Sequence, residues 1–185
     1  MARATGHVLL IGLRASGKST LGAALAKATD RRFIDLDDAT PTLLGRSSVA
    51  DVFKMDGEAP FRNAESRALG HALAAAGSVV ALGGGTPTAP GAAALINKAR
   101  RDDGARVIYL RAEPSTLRSR LQSADNAHRP SITGAGTLEE IDVLFADRDA
   151  LYRSIADAVI STDDLTPDET LSLLVAASEQ DDANP

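Results

Sequence analysis

The segment GLRASGKST at residues 12–20 has the clearest chemical pattern in the sequence. It fits the spacing G-x-x-x-x-G-K-[ST], whose glycines let backbone N–H groups turn inward around a phosphate. An apolar segment precedes it and an Ala/Leu-rich segment follows it, which predicts a strand before the loop and a helix after it. The positive end of that helix favours an anion. We therefore predict a nucleoside triphosphate site, with Lys18 near the terminal phosphates and the Ser19 hydroxyl on Mg²⁺.

Two carboxylates follow the next strand-like segment, in FIDLDD at residues 33–38. If the strand runs on, Asp35 and Asp37 share one of its faces, because side chains two apart in a strand do. Paired carboxylates at a strand end beside a phosphate loop suit Mg²⁺ and a hydroxyl acceptor. An acidic turn that leads into a helix cap fits the same residues, so these carboxylates alone do not identify the acceptor.

Several other segments have charged or glycine-rich patterns that are ambiguous when each is taken alone. Arg62 and Glu65, in GEAPFRNAE, are spaced to form a simple ion pair on a helix. The segment ALGGGTP at residues 81–87 follows an apolar run, and its three glycines allow a small ligand to approach the backbone closely. Arg129 in HRPSI and Arg148 in LFADRDALYR would each be an ordinary solvent-exposed charge.

The composition is that of an ordinary soluble globular domain, with 44% hydrophobic and 24% charged residues. A net charge of −5 and an aromatic content of only 3% argue against a nucleic acid partner. The sequence has no cysteine, so disulfides and thiolate metal sites are excluded. We find no membrane-length apolar run and no signal peptide, and we expect a cytoplasmic protein with no membrane partner.

The elements that must position these residues alternate between strand and helix. Apolar strand-like segments lie at 7–12, 32–35, 78–84, 106–110 and 158–161. Helix-like segments fill the intervals, at 17–29, 59–76, 89–99, 114–122, 138–154 and 167–178. This alternation predicts an α/β protein whose parallel sheet is covered by helices on both faces. The length of 185 residues favours one domain, and the polar, Gly-containing segment 123–136 predicts a mobile loop.

Taken together, the motifs resemble those of the shikimate kinase family, in the nucleoside monophosphate kinase-like branch of P-loop proteins. The resemblance runs from about residue 7 to residue 162 and follows the family's order and spacing. It rests on GLRASGKST, FIDLDD, GRSSVADVFKMDGEAPFRNAE, ALGGG, HRP and DRDALYR. It implies a three-layer P-loop fold with five parallel strands in the order 2-3-1-4-5. It also implies an ATP-dependent kinase of shikimate that uses Mg²⁺ and forms a single domain over 1–185, which we expect to be a monomer.

The resemblance assigns roles to individual residues. The implied catalytic residues are Lys18, Asp37 and the lid residue Arg129, and the implied metal residues are Ser19 and Asp35. The implied ATP site comprises Gly12, Leu13, Arg14, Ala15, Ser16, Gly17, Lys18, Ser19, Thr20, Arg120 and Arg129. The implied shikimate site, mostly within a region at about 36–65, comprises Asp37, Phe53, Phe61, Arg62, Glu65, Gly83, Gly84, Gly85 and Arg148. Arg62 and Arg148 would bind the carboxylate, and Glu65 would hold Arg62.

Three departures from the family pattern leave alternatives open. The family usually has an Ile-Glu pair shortly after its second aspartate, whereas this sequence has ATPTLLG there, with Pro41 and no glutamate. Ser131 replaces an apolar lid residue, and Arg14 occupies a position where small residues are commoner. One alternative is another small-metabolite kinase, such as a gluconate kinase, because gluconate also offers a carboxylate and hydroxyls. The other is a non-catalytic domain that senses an aromatic ligand, in which GLR openings also occur.

Overall fold

Five short parallel strands form the centre of the molecule. They are β1 (Val8–Ile11), β2 (Arg32–Asp35), β3 (Ser78–Ala81), β4 (Arg106–Arg111) and β5 (Ala158–Ser161). The computed structural model describes residues 6–75, 77–123, 138 and 140–179. The strands lie in the order β2-β3-β1-β4-β5, and every pairing is parallel. The predicted strand order is therefore confirmed.

The central strand β1 shows why the sequence folds in this way. All four of its residues are fully buried. Val8 lies opposite Val79 of β3 on one side and Arg106 of β4 on the other. A continuous apolar run of this kind is typical of a parallel strand that is covered on both faces.

Helices cover both faces of the sheet. They are α1 (Lys18–Ala28), α2 (Leu36–Leu43), α3 (Val49–Met55), α4 (Glu58–Leu73), α5 (Ala92–Asp103), α6 (Pro114–Ser123), α7 (Glu140–Ile155) and α8 (Pro167–Glu179). Leu10 and Leu110 point to one face and pack with Leu25 of α1 and Leu174 of α8. On the opposite face, a second buried cluster combines side chains of β1, β3 and β4 with those of α2 and α4–α7. The three-layer α/β fold is therefore confirmed.

Two short helices and one strand end differ from the sequence-based prediction. Helices α2 and α3 were not predicted, and α2 contains Pro41 in its interior. Ser48 begins α3 by accepting a hydrogen bond from the backbone N–H of Asp51 over 3.1 Å. Strand β3 ends at Ala81, so Gly83 and Gly84 lie in the loop after it and are not part of the strand.

The predicted arrangement of Asp35 and Asp37 on one strand face is wrong. Strand β2 ends at Asp35, and Asp37 lies in the first turn of α2. The Oδ1 atom of Asp35 accepts a hydrogen bond from the backbone N–H of Asp37 over 2.9 Å, so Asp35 caps the helix. The alternative of an acidic turn that leads into a helix cap describes this segment correctly.

The predicted start of α8 and the predicted mobile loop have different outcomes. Thr166 and Glu169 form a reciprocal cap at the start of α8, with bonds of 2.8 Å and 3.3 Å between backbone N–H groups and side chains. Most of the predicted mobile segment 123–136, with Arg129, lies outside the described residues. Among the helices of the described ranges, none is both long and apolar enough to cross a membrane.

Candidate functional site

A cleft of about 710 Å³ lies where β1 and β3 end and their loops begin. Its lining includes residues from the phosphate loop, from α2–α4 and from α7. Most of the predicted site residues line it: Leu13, Arg14, Ala15, Gly17, Lys18, Ser19, Thr20, Asp37, Phe53, Phe61, Arg62, Glu65, Gly84, Gly85 and Arg148. Gly12, Ser16, Asp35, Gly83 and Arg120 are described but are not part of this lining. The structure thus brings residues from distant parts of the chain to one place.

The phosphate loop connects β1 to α1 in a backbone conformation that depends on glycine. Gly12 has a φ of 151°, and a methyl group placed there would lie 2.5 Å from the carbonyl oxygen of Leu110. The loop closes on itself through a bond of 3.2 Å from the backbone N–H of Ser16 to the carbonyl of Leu13. Helix α1 begins directly afterwards at Lys18, so its N-terminus faces the loop.

The Lys18 side chain folds back over this loop. Its Nζ atom donates to the carbonyl of Leu13 over 2.9 Å, and the residue is buried. The neighbouring Ser19 is exposed and lines the cleft. The loop therefore combines the ammonium group of Lys18, the solvent-exposed hydroxyl of Ser19 and the N-terminus of α1, which together suit a polyphosphate.

Asp37 lies close to the glycine segment at residues 83–85. A methyl group placed on Gly83 would lie 2.9 Å from Oδ1 of Asp37 and 2.8 Å from Oε1 of Glu65. Both carboxylates therefore approach the same point on the backbone after β3. Asp37 lines the cleft together with Gly84 and Gly85.

Arg62 and Glu65 form a largely buried ion pair on α4. The Nη1 atom of Arg62 donates to Oε2 of Glu65 over 2.7 Å, and the two side chains are 15% and 3% exposed. The guanidinium lies directly over Gly85, where a methyl group would come within 2.0 Å of Nη1. Only glycine leaves room for Arg62 in this position, which explains the third glycine of the segment. The predicted contact between Arg62 and Glu65 is present.

Burial and charge act in opposite directions on this pair. Burial raises the pKa of Glu65, whereas the Arg62 guanidinium and the Thr86 hydroxyl lower it, and burial prevails. Burial lowers the pKa of Arg62, but Glu65 and Glu58 outweigh that effect, and the pKa is raised overall. Arg62 is therefore a fixed positive charge in the cleft.

An aromatic wall stands beside this pair. The rings of Phe53 and Phe61 are 4.9 Å apart between centroids, and the Arg62 guanidinium lies 5.6 Å from the Phe61 centroid. Phe53 belongs to α3, whose end is fixed by a two-bond contact of 2.8 Å and 2.8 Å between Arg46 and Asp56. These contacts give the cleft one apolar side against which a carbon ring can pack.

Arg148 reaches the glycine segment from α7. Its Nη1 atom donates to the carbonyl of Gly84 over 2.6 Å, and the Tyr152 hydroxyl donates to the same oxygen. Arg62 and Arg148 therefore approach neighbouring residues, Gly85 and Gly84, from different helices. Two guanidinium groups arranged in this way suit a single carboxylate.

A network behind α7 supports this arrangement. Asp149 accepts hydrogen bonds from Tyr109 over 2.9 Å, from Arg111 over 3.0 Å and from Arg153 over 2.8 Å. The Tyr109 ring packs edge-on against Tyr152, with 5.2 Å between centroids. Burial raises the pKa of Asp149, but its hydrogen bonds outweigh burial and the pKa is lowered. The network fixes the turn of α7 from which Arg148 extends.

Arg120 does not line the cleft, and its side chain bonds to Thr162. Its Nη1 and Nη2 atoms donate to the hydroxyl and the carbonyl of Thr162 over 3.0 Å and 2.6 Å. These bonds join α6 to the end of β5. Its assignment to the adenine site stays a prediction, as does that of Arg129, which lies outside the described residues.

Sequence reasoning missed two residues of the site, Thr86 and Tyr152. The Thr86 hydroxyl donates to Oε1 of Glu65 over 2.9 Å, and Tyr152 donates to Gly84. Each had a weak signal: Thr86 directly follows the three glycines, and Tyr152 lies four residues after Arg148, on the same helix face.

Comparison with known proteins gives one consistent result. A family model described as shikimate kinase matches residues 14–179. A protein named shikimate kinase 2 from Yersinia pestis (strain Pestoides F) is 38% identical over 174 residues, which cover 92% of this chain and 96% of that protein. A crystal structure of shikimate kinase from Bacteroides thetaiotaomicron is similar with a TM-score of 0.82 and 26% identity, covering 96% of this chain and 100% of that one. Shikimate kinase from Acinetobacter baumannii, solved in complex with shikimate, has a similar fold, with a TM-score of 0.80, 24% identity, and coverage of 96% and 97%.

Proposed function

The chain belongs to the shikimate kinase family, and we propose that it transfers the terminal phosphoryl group of ATP to the 3-hydroxyl of shikimate. The products are shikimate 3-phosphate and ADP, and the reaction is a step of chorismate and aromatic amino acid biosynthesis. The family match and the named relatives favour this activity over a gluconate kinase or a ligand sensor.

One observation carries the assignment of the acceptor. Arg62 and Arg148 approach adjacent glycines in a cleft that also contains Asp37 and the phosphate loop. Shikimate has one carboxylate and three ring hydroxyls. We assign the carboxylate to the two guanidinium groups and a hydroxyl to Asp37, because charge-assisted hydrogen bonds suit both contacts. The aromatic pair Phe53 and Phe61 would contact the carbon ring.

The reaction requires alignment and charge neutralisation more than covalent assistance. The 3-hydroxyl oxygen forms a bond to the γ-phosphorus, and the bond from that phosphorus to the β–γ bridging oxygen breaks to release ADP. Asp37 orients the hydroxyl and is the group positioned to take its proton. Lys18 exchanges its contact with the Leu13 carbonyl for the phosphate oxygens and offsets their charge.

We assign Mg²⁺ to Ser19 and Asp35. No group of three or more His, Cys, Asp or Glu side chains within the described ranges could hold a metal ion alone. Mg²⁺ needs no such group, because it binds proteins through one or two oxygen ligands and completes its shell with phosphate oxygens and water. The exposed hydroxyl of Ser19 and the second carboxylate oxygen of Asp35 fit that donor set. When bound, the ion would offset charge on the phosphates.

The remaining assignments come from the resemblance or from the length and composition of the sequence, and are proposals. We assign Arg129 to a lid at about 123–136 that closes over the phosphates, and Arg120 to the adenine side. We also propose a single kinase domain over 1–185 with its shikimate-binding region at about 36–65. We expect a monomer in the cytoplasm, without a nucleic acid or membrane partner.

A coupled assay of ADP release tests the function directly. The protein is supplied with ATP and Mg²⁺, and with shikimate, gluconate or no acceptor. We expect turnover that depends on shikimate and only background hydrolysis in the other two reactions. Turnover with gluconate alone would establish the other kinase, and no acceptor-dependent turnover in a folded protein that binds ATP would refute a kinase assignment.

A further inference from the structure

The Thr86 hydroxyl occupies a position in the acceptor site that the proposed mechanism does not use. Thr86 begins a 3₁₀ turn, Thr86–Thr88, directly after the three glycines. The residue is fully buried, and its Oγ1 atom donates to Oε1 of Glu65 over 2.9 Å. Burial of a hydroxyl costs free energy unless the hydroxyl is hydrogen-bonded, and Glu65 supplies the acceptor here.

Glu65 has one partner for each of its two carboxylate oxygens. Oε2 accepts from Arg62 over 2.7 Å, and Oε1 accepts from Thr86. The group is only 2% exposed, so water cannot replace either donor readily. The two bonds together determine how the carboxylate plane is turned, and hence where it directs the Arg62 guanidinium.

The bond from Thr86 also affects the contact between Glu65 and Asp37. A methyl group on Gly83 would lie 2.8 Å from Oε1 of Glu65, 2.9 Å from Oδ1 of Asp37 and 2.9 Å from Oγ1 of Thr86. Three oxygen atoms thus converge on one point. The Thr86 proton is directed to Glu65 and reduces the charge density that Glu65 presents to the neighbouring carboxylate.

The turn that carries Thr86 is rigid. The backbone N–H of Thr86 donates to the Gly83 carbonyl over 3.0 Å, and the backbone N–H of Ala89 donates to the Thr86 carbonyl over 3.0 Å. Pro87, the next residue, is buried and fixes its own φ angle. These bonds fix the backbone position from which the Thr86 hydroxyl reaches Glu65.

From this geometry we propose that Thr86 is a positioning residue for the acceptor: its hydroxyl holds Glu65, which in turn holds Arg62 over Gly85 to receive the acceptor carboxylate. The inference rests on the proposed function and adds a residue to that site. Thr86 touches neither substrate. Its contribution passes through Glu65, so removal of the hydroxyl affects acceptor binding and leaves nucleotide binding unchanged.

The test compares Thr86→Val, Thr86→Ser and the control Thr88→Val in the ADP-release assay. Valine keeps the shape of threonine without the hydroxyl, and serine restores the hydroxyl. Thr88 lies in the same turn, but its hydroxyl donates to the Gly85 carbonyl over 2.7 Å and does not contact Glu65. We expect Thr86→Val to raise the KM for shikimate by about tenfold, since it removes a hydrogen bond to a charged group, with the KM for ATP unchanged. Thr86→Ser and Thr88→Val should stay close to the unaltered protein.

A double-mutant cycle tests whether Thr86 acts through Glu65. Glu65→Ala removes both acceptor oxygens, so Glu65→Ala combined with Thr86→Val should raise the KM for shikimate no further than Glu65→Ala alone. Additive effects would overturn the inference, as would an unchanged KM in Thr86→Val or equal losses for shikimate and ATP. Urea unfolding of the unaltered protein, the two single variants and the double variant measures the coupling free energy between residues 65 and 86 without any substrate. If the unaltered protein does not phosphorylate shikimate, the proposed function fails, and this coupling still decides whether Thr86 holds Glu65.

Discussion

Replacement of Arg148 by alanine tests the placement of the acceptor most directly. Arg148 extends from α7 to the Gly84 carbonyl, 2.6 Å from its Nη1 atom, and lines the cleft. The Tyr152 hydroxyl donates to the same carbonyl, so that oxygen keeps a partner when Arg148 is removed. We therefore expect Arg148→Ala to fold normally and to lose affinity for the acceptor only.

The magnitude follows from the hydrogen bonds gained and lost. A charge-assisted bond to the acceptor carboxylate contributes about 1.5–3 kcal/mol, and a bond to a neutral carbonyl contributes about 0.5–1.5 kcal/mol. If Arg148 must release Gly84 to bind the acceptor, the net gain is about 1 kcal/mol, or roughly fivefold in affinity. If other guanidinium N–H groups bind the carboxylate while Nη1 stays in place, the gain reaches roughly a hundredfold.

The assay measures ADP release against shikimate concentration at saturating ATP, and then against ATP concentration at saturating shikimate. We expect the KM for shikimate to rise between about fivefold and a hundredfold in Arg148→Ala, with the KM for ATP within about twofold of the unaltered protein. Arg67→Ala is the matched control, because Arg67 is an exposed arginine of α4 that does not line the cleft. A folded Arg148→Ala protein with an unchanged KM for shikimate, or with weakened ATP binding alone, would refute the placement.

Four further predictions follow from the described contacts. Lys18→Ala should abolish ADP release while the protein stays folded, whereas near-normal turnover would contradict the phosphate-loop assignment. Asp37→Asn should lower kcat severely, and a raised KM for shikimate with an intact kcat would instead make Asp37 a binding residue only. Gly85→Ala should raise the KM for shikimate, but by no more than Arg62→Ala does, because its methyl group displaces that guanidinium without removing it. The lowered pKa of Asp149 stabilises the fold above about pH 4, the unfolded pKa, and this stabilisation is lost as the pH falls through the folded pKa. Urea unfolding of Asp149→Asn should therefore give lower stability at pH 7 and a smaller loss between pH 7 and pH 3; equal pH dependence in both proteins would contradict this.

The sheet was predictable because its signal is local. Buried parallel strands need continuous apolar residues, as β1 has, and all five strands lie within or next to the predicted segments. Helix α2 escaped prediction because Pro41 in its interior argues against a helix. Packing of α2 against the core through Leu36 outweighs that local preference. The error at Asp37 has the same origin, because the strand period was applied to a residue that belongs to α2.

Many residues that line the candidate site could be predicted from the sequence, but the contacts between them could not. The motifs placed Asp37, Arg62 and Arg148 in one site, and all three line the same cleft. The roles of Thr86 and Tyr152 rest on their contacts with Glu65 and Gly84, which lie 21 and 68 residues away in the sequence. No spacing rule relates such positions, because the separation is set by the path of the chain between β3 and its neighbouring helices. The fold has to be known before these hydroxyls can be assigned.

Four consecutive residues that follow β3 after Leu82 explain how the acceptor site is assembled. Gly83 leaves space for the carboxylates of Asp37 and Glu65, Gly84 presents a carbonyl to α7, Gly85 leaves space for Arg62, and Thr86 holds Glu65. This segment is attached to β3, which lies next to β1 in the sheet, and is therefore fixed relative to the phosphate loop. Helices α2, α4 and α7 each add a side chain to it. A substitution that displaces one of these helices should therefore alter acceptor binding more than phosphate binding, since the phosphate loop connects β1 to α1 and to none of these helices.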